Sequence, residues 1–393
     1  MPSFVPLGIA DYSGTNERGF VQFTYQIADN NAKKLTLQIR DGSSVIYEEK
    51  ITDANKLKQG EHIWKWDGFD SGGVLDTAKL TQYENLNLYT IGVDSSNNYS
   101  RKKLDFSMRY DEVKWVDVKI DKNSKRIDVT LRVNLKDGGA RGIECYEKDI
   151  DPDPKLRVPM KVCPWDKIPQ GDLITGKPPL TARTKSFEDL ERLALEGLNY
   201  HWGRNRNHYI AKDVDINGEK YEVYVNAINT TEKTMDDVSL IFNTNGDWMR
   251  SGNPGTVEDP ISFVGNIVSR EAVCYNVGYI YEYFYVDSWD YQTSINEDNE
   301  FKETSAHEIG HTILKAYGGT FYSYGHKGSV NTITQKQKSS APAYPVSGEV
   351  DIMPYLKKNK YGGKRRQPNI YKRLVASEKD VLSLLWLTKL KLK

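Results

Sequence analysis

The sequence predicts a multidomain chain with an all-β sandwich at the N-terminal end and an α+β domain at the C-terminal end. Three observations carry this. Short alternating apolar runs, punctuated by Gly, Asp and Asn, fill residues 1–105. Strong helical spacing begins only after Ser186. The run His307-Glu308-Ile309-Gly310-His311 then falls inside a later helical stretch. The expected division is 1–105 for the sandwich, 106–175 for a β-rich intermediate domain or extension, and 176–393 for the α+β domain with a C-terminal extension.

Bulk properties exclude several classes. The chain has 54 Lys plus Arg against 54 Asp plus Glu, so charge balance points to no nucleic-acid partner. No stretch of about 18 apolar residues exists, so no membrane span is expected. Met1-Pro2-Ser3-Phe4 opens no basic-then-apolar leader, so a cleaved signal peptide is not expected. The three cysteines, Cys145, Cys163 and Cys274, are too few for a disulfide scaffold. Cys145 and Cys163 can pair across a Pro/Asp-rich loop or remain thiols. They lack the close ligand pairs of a zinc knuckle.

In the first unit, Phe20–Tyr25 alternates in part and Leu35–Ile39 alternates cleanly. Asp41-Gly42 then marks a turn before Val45–Tyr47, and Leu86–Val93 is a further strand. The segment Gly60-Glu61-His62-Ile63-Trp64-Lys65-Trp66-Asp67-Gly68-Phe69-Asp70-Ser71-Gly72-Gly73 resembles the strand and turn of the immunoglobulin-like domain in flagellar hook-capping proteins. The resemblance implies an immunoglobulin-like sandwich that serves assembly or presentation, with Trp66 packed inward and Asp67-Gly68 turning the chain.

Trp115–Ile120 and Ile127–Leu135 alternate around the turn Asp121–Ser124, which predicts a hairpin. It belongs to the β-rich intermediate segment or to the C-terminal domain. Residues 150–180 hold many prolines and charges and suit a long connection. Ser186 with Asp189 fits an N-cap box, and Phe187, Leu190, Leu193, Ala194 and Leu198 stripe a helix to about Trp202. Tyr221–Ala227 and Val238–Phe242 are strands, and Val277–Tyr281 suits a turn or another strand. Asp298 is placed to cap a helix over about 299–316, with Gly318-Gly319 ending it. Ser377 and Asp380 suit the start of a terminal helix that docks through Leu382, Leu385, Trp386 and Leu387. The basic stretch Lys357–Arg366 suits a solvated face or a carrier contact.

On a helix, His307 and His311 lie one turn apart on one face and can bind one zinc ion, with Glu308 beside them to act on water. Gly310 allows close packing beneath. Such a short pattern also occurs by chance, and paired helical histidines also serve as hydrogen-bonded core groups. A zinc site with an open position needs a third protein ligand. His326, in Tyr322-Ser323-Tyr324-Gly325-His326-Lys327-Gly328, is the first choice because flanking glycines let the loop return to the helix. Glu349 and Asp351 are the alternatives. His62 lies in the first unit. His201 and His208 suit packing, or orientation of a substrate.

His307, Glu308 and His311 resemble the two ligands and catalytic glutamate of the zincin metallopeptidases. That likeness implies a zincin-type C-terminal domain and zinc-dependent hydrolysis of peptide bonds, with Glu308 as general base and proton donor. Tyr355 and Tyr317 are the candidate oxyanion donors. Asp351-Ile352-Met353-Pro354-Tyr355 resembles a metzincin methionine turn, with Met353 beneath the metal. The long metzincin motif is broken, since Leu314 and Tyr317 stand where its glycine and third ligand fall. The set His-Glu-x-Gly-His, Ala-Tyr-Gly-Gly, Tyr-x-x-x-His-Lys-Gly and Gly-Glu-x-Asp-Ile-Met, across about 180–360, also resembles bacterial metallopeptidase toxins, some tied to type VI secretion. This resemblance implies an effector made in the bacterial cytoplasm and exported without a cleaved signal peptide. Its substrate would be a protein or the peptide of a cell wall, and its partners a secretion carrier or an immunity protein. The alternative is a non-enzymatic, secretion-associated binding or structural protein with a structural zinc.

Overall fold

The computed structural model describes residues 3–149, 158–249, 251, 272–282, 288–331, 337–343, 345–357 and 369–393. The molecule is β-rich, with several sheets and five α-helices among those residues. The helices are α1 (Thr77–Gln82), α2 (Phe187–His201), α3 (Ser294–Tyr324), α4 (Ile370–Arg373) and α5 (Glu378–Leu387). None is long and apolar enough to cross a membrane.

The N-terminal unit is a β unit. Its larger sheet runs Ser44–Ile51, Ala32–Asp41, Leu86–Asp94, Tyr99–Asp105, all antiparallel. Val21–Ile27 pairs with Gly60–Trp66 in a second, two-stranded sheet. The inward residues close the core between them. Phe23 stacks on Trp64 at 5.7 Å between centroids. Trp66 is buried and donates from Nε1 to the Phe69 carbonyl at 2.7 Å, as its strand position predicts. Gly68 (φ +84°) turns the chain directly over Phe4.

The predicted hairpin is present as Val116–Asp121 and Arg126–Arg141. Arg126–Arg141 is the central strand of the largest sheet. Its first half pairs in parallel with Glu219–Asn229, and its second half with Asp237–Asn243. Ala272–Asn276 extends the second half, again in parallel. Parallel neighbours need a long crossover, and α2 lies in the connection from Arg126–Arg141 to Glu219–Asn229. On this central strand Ile127, Val129, Leu131, Val133 and Leu135 are buried in strict alternation. They join one continuous core with Leu190, Leu193 and Leu198 of α2 and Ile309, Ile313 and Leu314 of α3.

Two pairings knit the N-terminal unit to this core. Val74–Asp76 adds to the edge of the hairpin. Ser3–Phe4 and Met108–Tyr110 flank Leu390–Leu392 in a small antiparallel sheet. Cys145 and Cys163 form a disulfide at the base of the exposed hairpin Tyr146–Asp149 and Pro159–Val162.

Candidate metal centre

Helix α3 carries the site, and its surroundings explain its course. The helix starts at Ser294, a turn before the position Asp298 would cap. Asp298 instead accepts from Tyr275 Oη at 2.8 Å and Lys185 Nζ at 3.1 Å. Helix α2 begins as predicted, with Ser186 and Asp189 in a reciprocal capping box. Gly197 of α2 lies against the Lys302 carbonyl of α3, where a side chain has no room. Trp202 Nε1 donates to the Ala306 carbonyl at 3.0 Å, one residue before the first histidine. Helical geometry breaks at Gly319 (φ +83°, ψ 175°), within the predicted Gly-Gly stop. The chain then folds back through Ser323 and Tyr324 to His326.

The fold brings His307, His311 and His326 together. One ring nitrogen from each lies within 4.8 Å of the others, close enough to hold one metal ion. Their protonation follows from the partners. His307 Nδ1 is 2.8 Å from the Ile352 carbonyl, and His326 Nδ1 is 3.0 Å from the Met353 carbonyl. A carbonyl only accepts, so each ring donates from Nδ1 and, in its neutral form, carries its lone pair on Nε2. His311 Nδ1 is 3.1 Å from Ser323 Oγ. That hydroxyl gives its one proton to the His311 carbonyl at 2.7 Å, so it accepts from Nδ1. All three Nε2 atoms are therefore acceptors.

The Nε2 atoms of His307 and His311 are 3.2 Å apart. Two lone pairs at that distance repel, and a cation between them reverses the sign. Nitrogens each about 2.0–2.1 Å from one tetrahedral ion stand roughly 3.3–3.4 Å apart, so the spacing of this pair matches a shared metal ion. Burial, then the two neighbouring imidazoles, hold the His311 pKa well below its ordinary value near 6.5. Its neutral, ligating form is the stable one.

The other predicted residues divide. Glu308 is half-buried on α3 next to the ligand face. Tyr355 stacks on His326 with 4.1 Å between centroids and is nearly parallel to His307 at 6.0 Å. Met353 is fully buried, and its Sδ stands 2.8 Å from where a Cβ on Gly310 would lie. It therefore does pack beneath the helix. Tyr317 is not brought to the triad as an oxyanion donor. Its hydroxyl donates to the Ala10 carbonyl at 3.0 Å, and its ring meets Trp386. Glu349 and Asp351 are not in the metal-binding group. Arg204 Nη2 donates to Glu349 at 2.7 Å, and Lys327 holds Asp351.

His201 is a core histidine that donates from Nδ1 to the Leu374 carbonyl at 2.8 Å. His208 accepts two backbone N–H bonds at Nδ1, from Ile210 and Ala211. His62 is half-buried at the edge of the inward face of its strand, in phase with Trp64 and Trp66, with its ring 5.3 Å from that of Tyr25. In the basic stretch, positions 358–366 lie outside the described residues. The sequence reading missed the supporting groups: the Ile352 and Met353 carbonyls, Ser323, and the cluster around Lys327. Ser323, Lys327, Ile352 and Met353 all stand within the motifs around the site, but nothing local marks a hydroxyl or a backbone carbonyl as the partner of an imidazole.

No known protein family and no curated protein matches the sequence. Among solved structures, truncated FlgD from the human pathogen Helicobacter pylori gives a weak, partial likeness. It is 14% identical and covers 30% of this chain and 82% of that one, with a TM-score of 0.16.

Proposed function

We propose that this chain is a zinc-dependent peptidase whose C-terminal unit works as a zincin. The convergence of three Nε2 acceptors beside Glu308 is the observation that carries the reading. His307, His311 and His326 would hold the zinc, which would supply Lewis-acid polarisation of the scissile carbonyl and activation of water. Glu308 takes a proton from the attacking water and returns it to the leaving amine. Tyr355, layered against two ligand rings, donates to the developing oxyanion. Met353 supports α3 from below.

A structural metal in a non-enzymatic protein is the alternative. Such sites use four protein ligands, whereas the described residues offer three. Export as a bacterial effector, with a carrier or immunity partner, rests on the toxin-like motifs. The Cys145–Cys163 disulfide supports an oxidising destination.

The test is metal analysis and hydrolysis on the full chain, with an unfolded protein and a cell-wall peptide as probes. Wild type should carry one zinc and cleave one of the probes, and chelation should stop cleavage. Glu308→Gln should keep the zinc and lose roughly 10²–10⁴-fold in rate. Cleavage at the wild-type rate by Glu308→Gln would remove the proposed base. Absence of bound zinc in the wild type would remove the reading altogether.

A further inference from the structure

We infer that Lys327 is a positioning residue for the metal centre, tying the His326 loop to the segment whose carbonyls hold His307 and His326. The inference rests on the proposed metal reading. Lys327 Nζ donates to Asp351, to Asp380 Oδ2 at 2.8 Å and to Ser377 Oγ at 3.0 Å. Asp380 is completely buried in the first turn of α5, and Ser377 is the N-cap of that helix.

Asp351 carries the connection onward. Its Oδ1 accepts from Met353 N–H at 3.1 Å. The Ile352 and Met353 carbonyls then fix the rings of His307 and His326. Lys327 therefore acts on His326 twice, through the peptide bond and through Asp351. His326 and Lys327 also have φ of +40° and +53°. Residues with a Cβ seldom occupy this region, so two in succession need an outside hold. A half-buried ammonium held against the fully buried Asp380 is such a hold, because loosening it strands the buried carboxylate.

The plainer reading is an ion cluster that only fastens α5 to the domain. Cobalt(II) titration of the metal-stripped full chain, followed by visible absorption, separates the two. The double variant Lys327→Gln/Asp380→Asn puts a neutral hydrogen-bonding pair in place of the ammonium and the fully buried carboxylate, so the only charge left without its partner is that of the part-exposed Asp351. Asp351→Asn removes one charge but keeps the acceptor for Met353 N–H, and it carries the test if the double variant does not fold. In folded variants cobalt should bind roughly 10–100-fold more weakly than in wild type. Its absorption bands should shift as the His326 ring loses its fixed orientation. Folded variants with wild-type affinity and spectrum overturn the inference while leaving the metal reading intact. A wild-type chain that binds no cobalt instead overturns the metal reading.

Discussion

Gly310 of α3 and Met353 lie so close that a Cβ on the glycine would stand 2.8 Å from the methionine Sδ. The same Cβ would stand 2.8 Å from Trp202 Cζ2. Methionine can move aside, but Trp202 is fully buried and fixed by its bond to Ala306. Gly310→Ala should therefore destabilise the protein by about 1–3 kcal/mol through overpacking, even though alanine favours a helix by roughly 1 kcal/mol. Metal affinity should fall too, because Met353 supplies the carbonyl that holds His326. Urea denaturation and metal titration would check both. An unchanged or raised midpoint would mean that the packing relaxes freely.

The two candidate tyrosines should separate cleanly. Tyr317→Phe loses the hydrogen bond to Ala10 and should cost about 1 kcal/mol of stability. Its metal affinity and rate of hydrolysis should match wild type. Tyr355→Phe should lower kcat by roughly 10²–10³-fold, the usual loss of an oxyanion donor. The opposite pattern would return Tyr317 to the chemistry.

Local signals were legible in this sequence, and remote partners were not. Ser186 with Asp189 announced α2, and Gly319 broke α3 where the Gly-Gly pair stands. The alternation in 127–135 gave a strand and its inward face. It did not reveal the parallel partners 222–229 and 237–243, since pairing in register leaves no mark within either strand. The approach of His326 to the helical pair was readable because glycines flank it. Glu349 and Asp351 stood behind it as the alternatives. Only the fold shows that Arg204 and Lys327, distant in sequence or on another loop, already hold them.

The Cys145–Cys163 bond closes a loop with a sequence separation of 18. Closing a loop of that length constrains the unfolded chain by about 3 kcal/mol in the chain-entropy account. The stapled hairpin is exposed on both strands and pairs only with itself among the described residues. Cys145→Ser/Cys163→Ser should therefore open this hairpin locally. Hydrogen exchange should speed over 146–149 and 159–162, while metal binding at α3 is unchanged. Loss of metal binding on reduction would instead couple the hairpin to the site.

Acid should weaken the fold through buried histidines before most carboxylates titrate. Burial pushes His201 down to about 4 from an ordinary value near 6.5, and His208 likewise to about 4. Their folded pKa values lie below their unfolded ones, so between these limits the unfolded chain binds more protons. Stability is then complete above about pH 6.5 and is lost progressively as pH falls toward 4. His201 alone accounts for about 3 kcal/mol across that window. His311 adds to the same slope in metal-stripped protein, because its pKa is also lowered. Urea midpoints of the metal-stripped chain should fall steadily from pH 7 to pH 4.5. His201→Asn keeps an N–H donor for the Leu374 carbonyl and cannot take a proton, so it should flatten part of that fall. A slope equal to wild type in His201→Asn would show that His201 is not the group that senses acid.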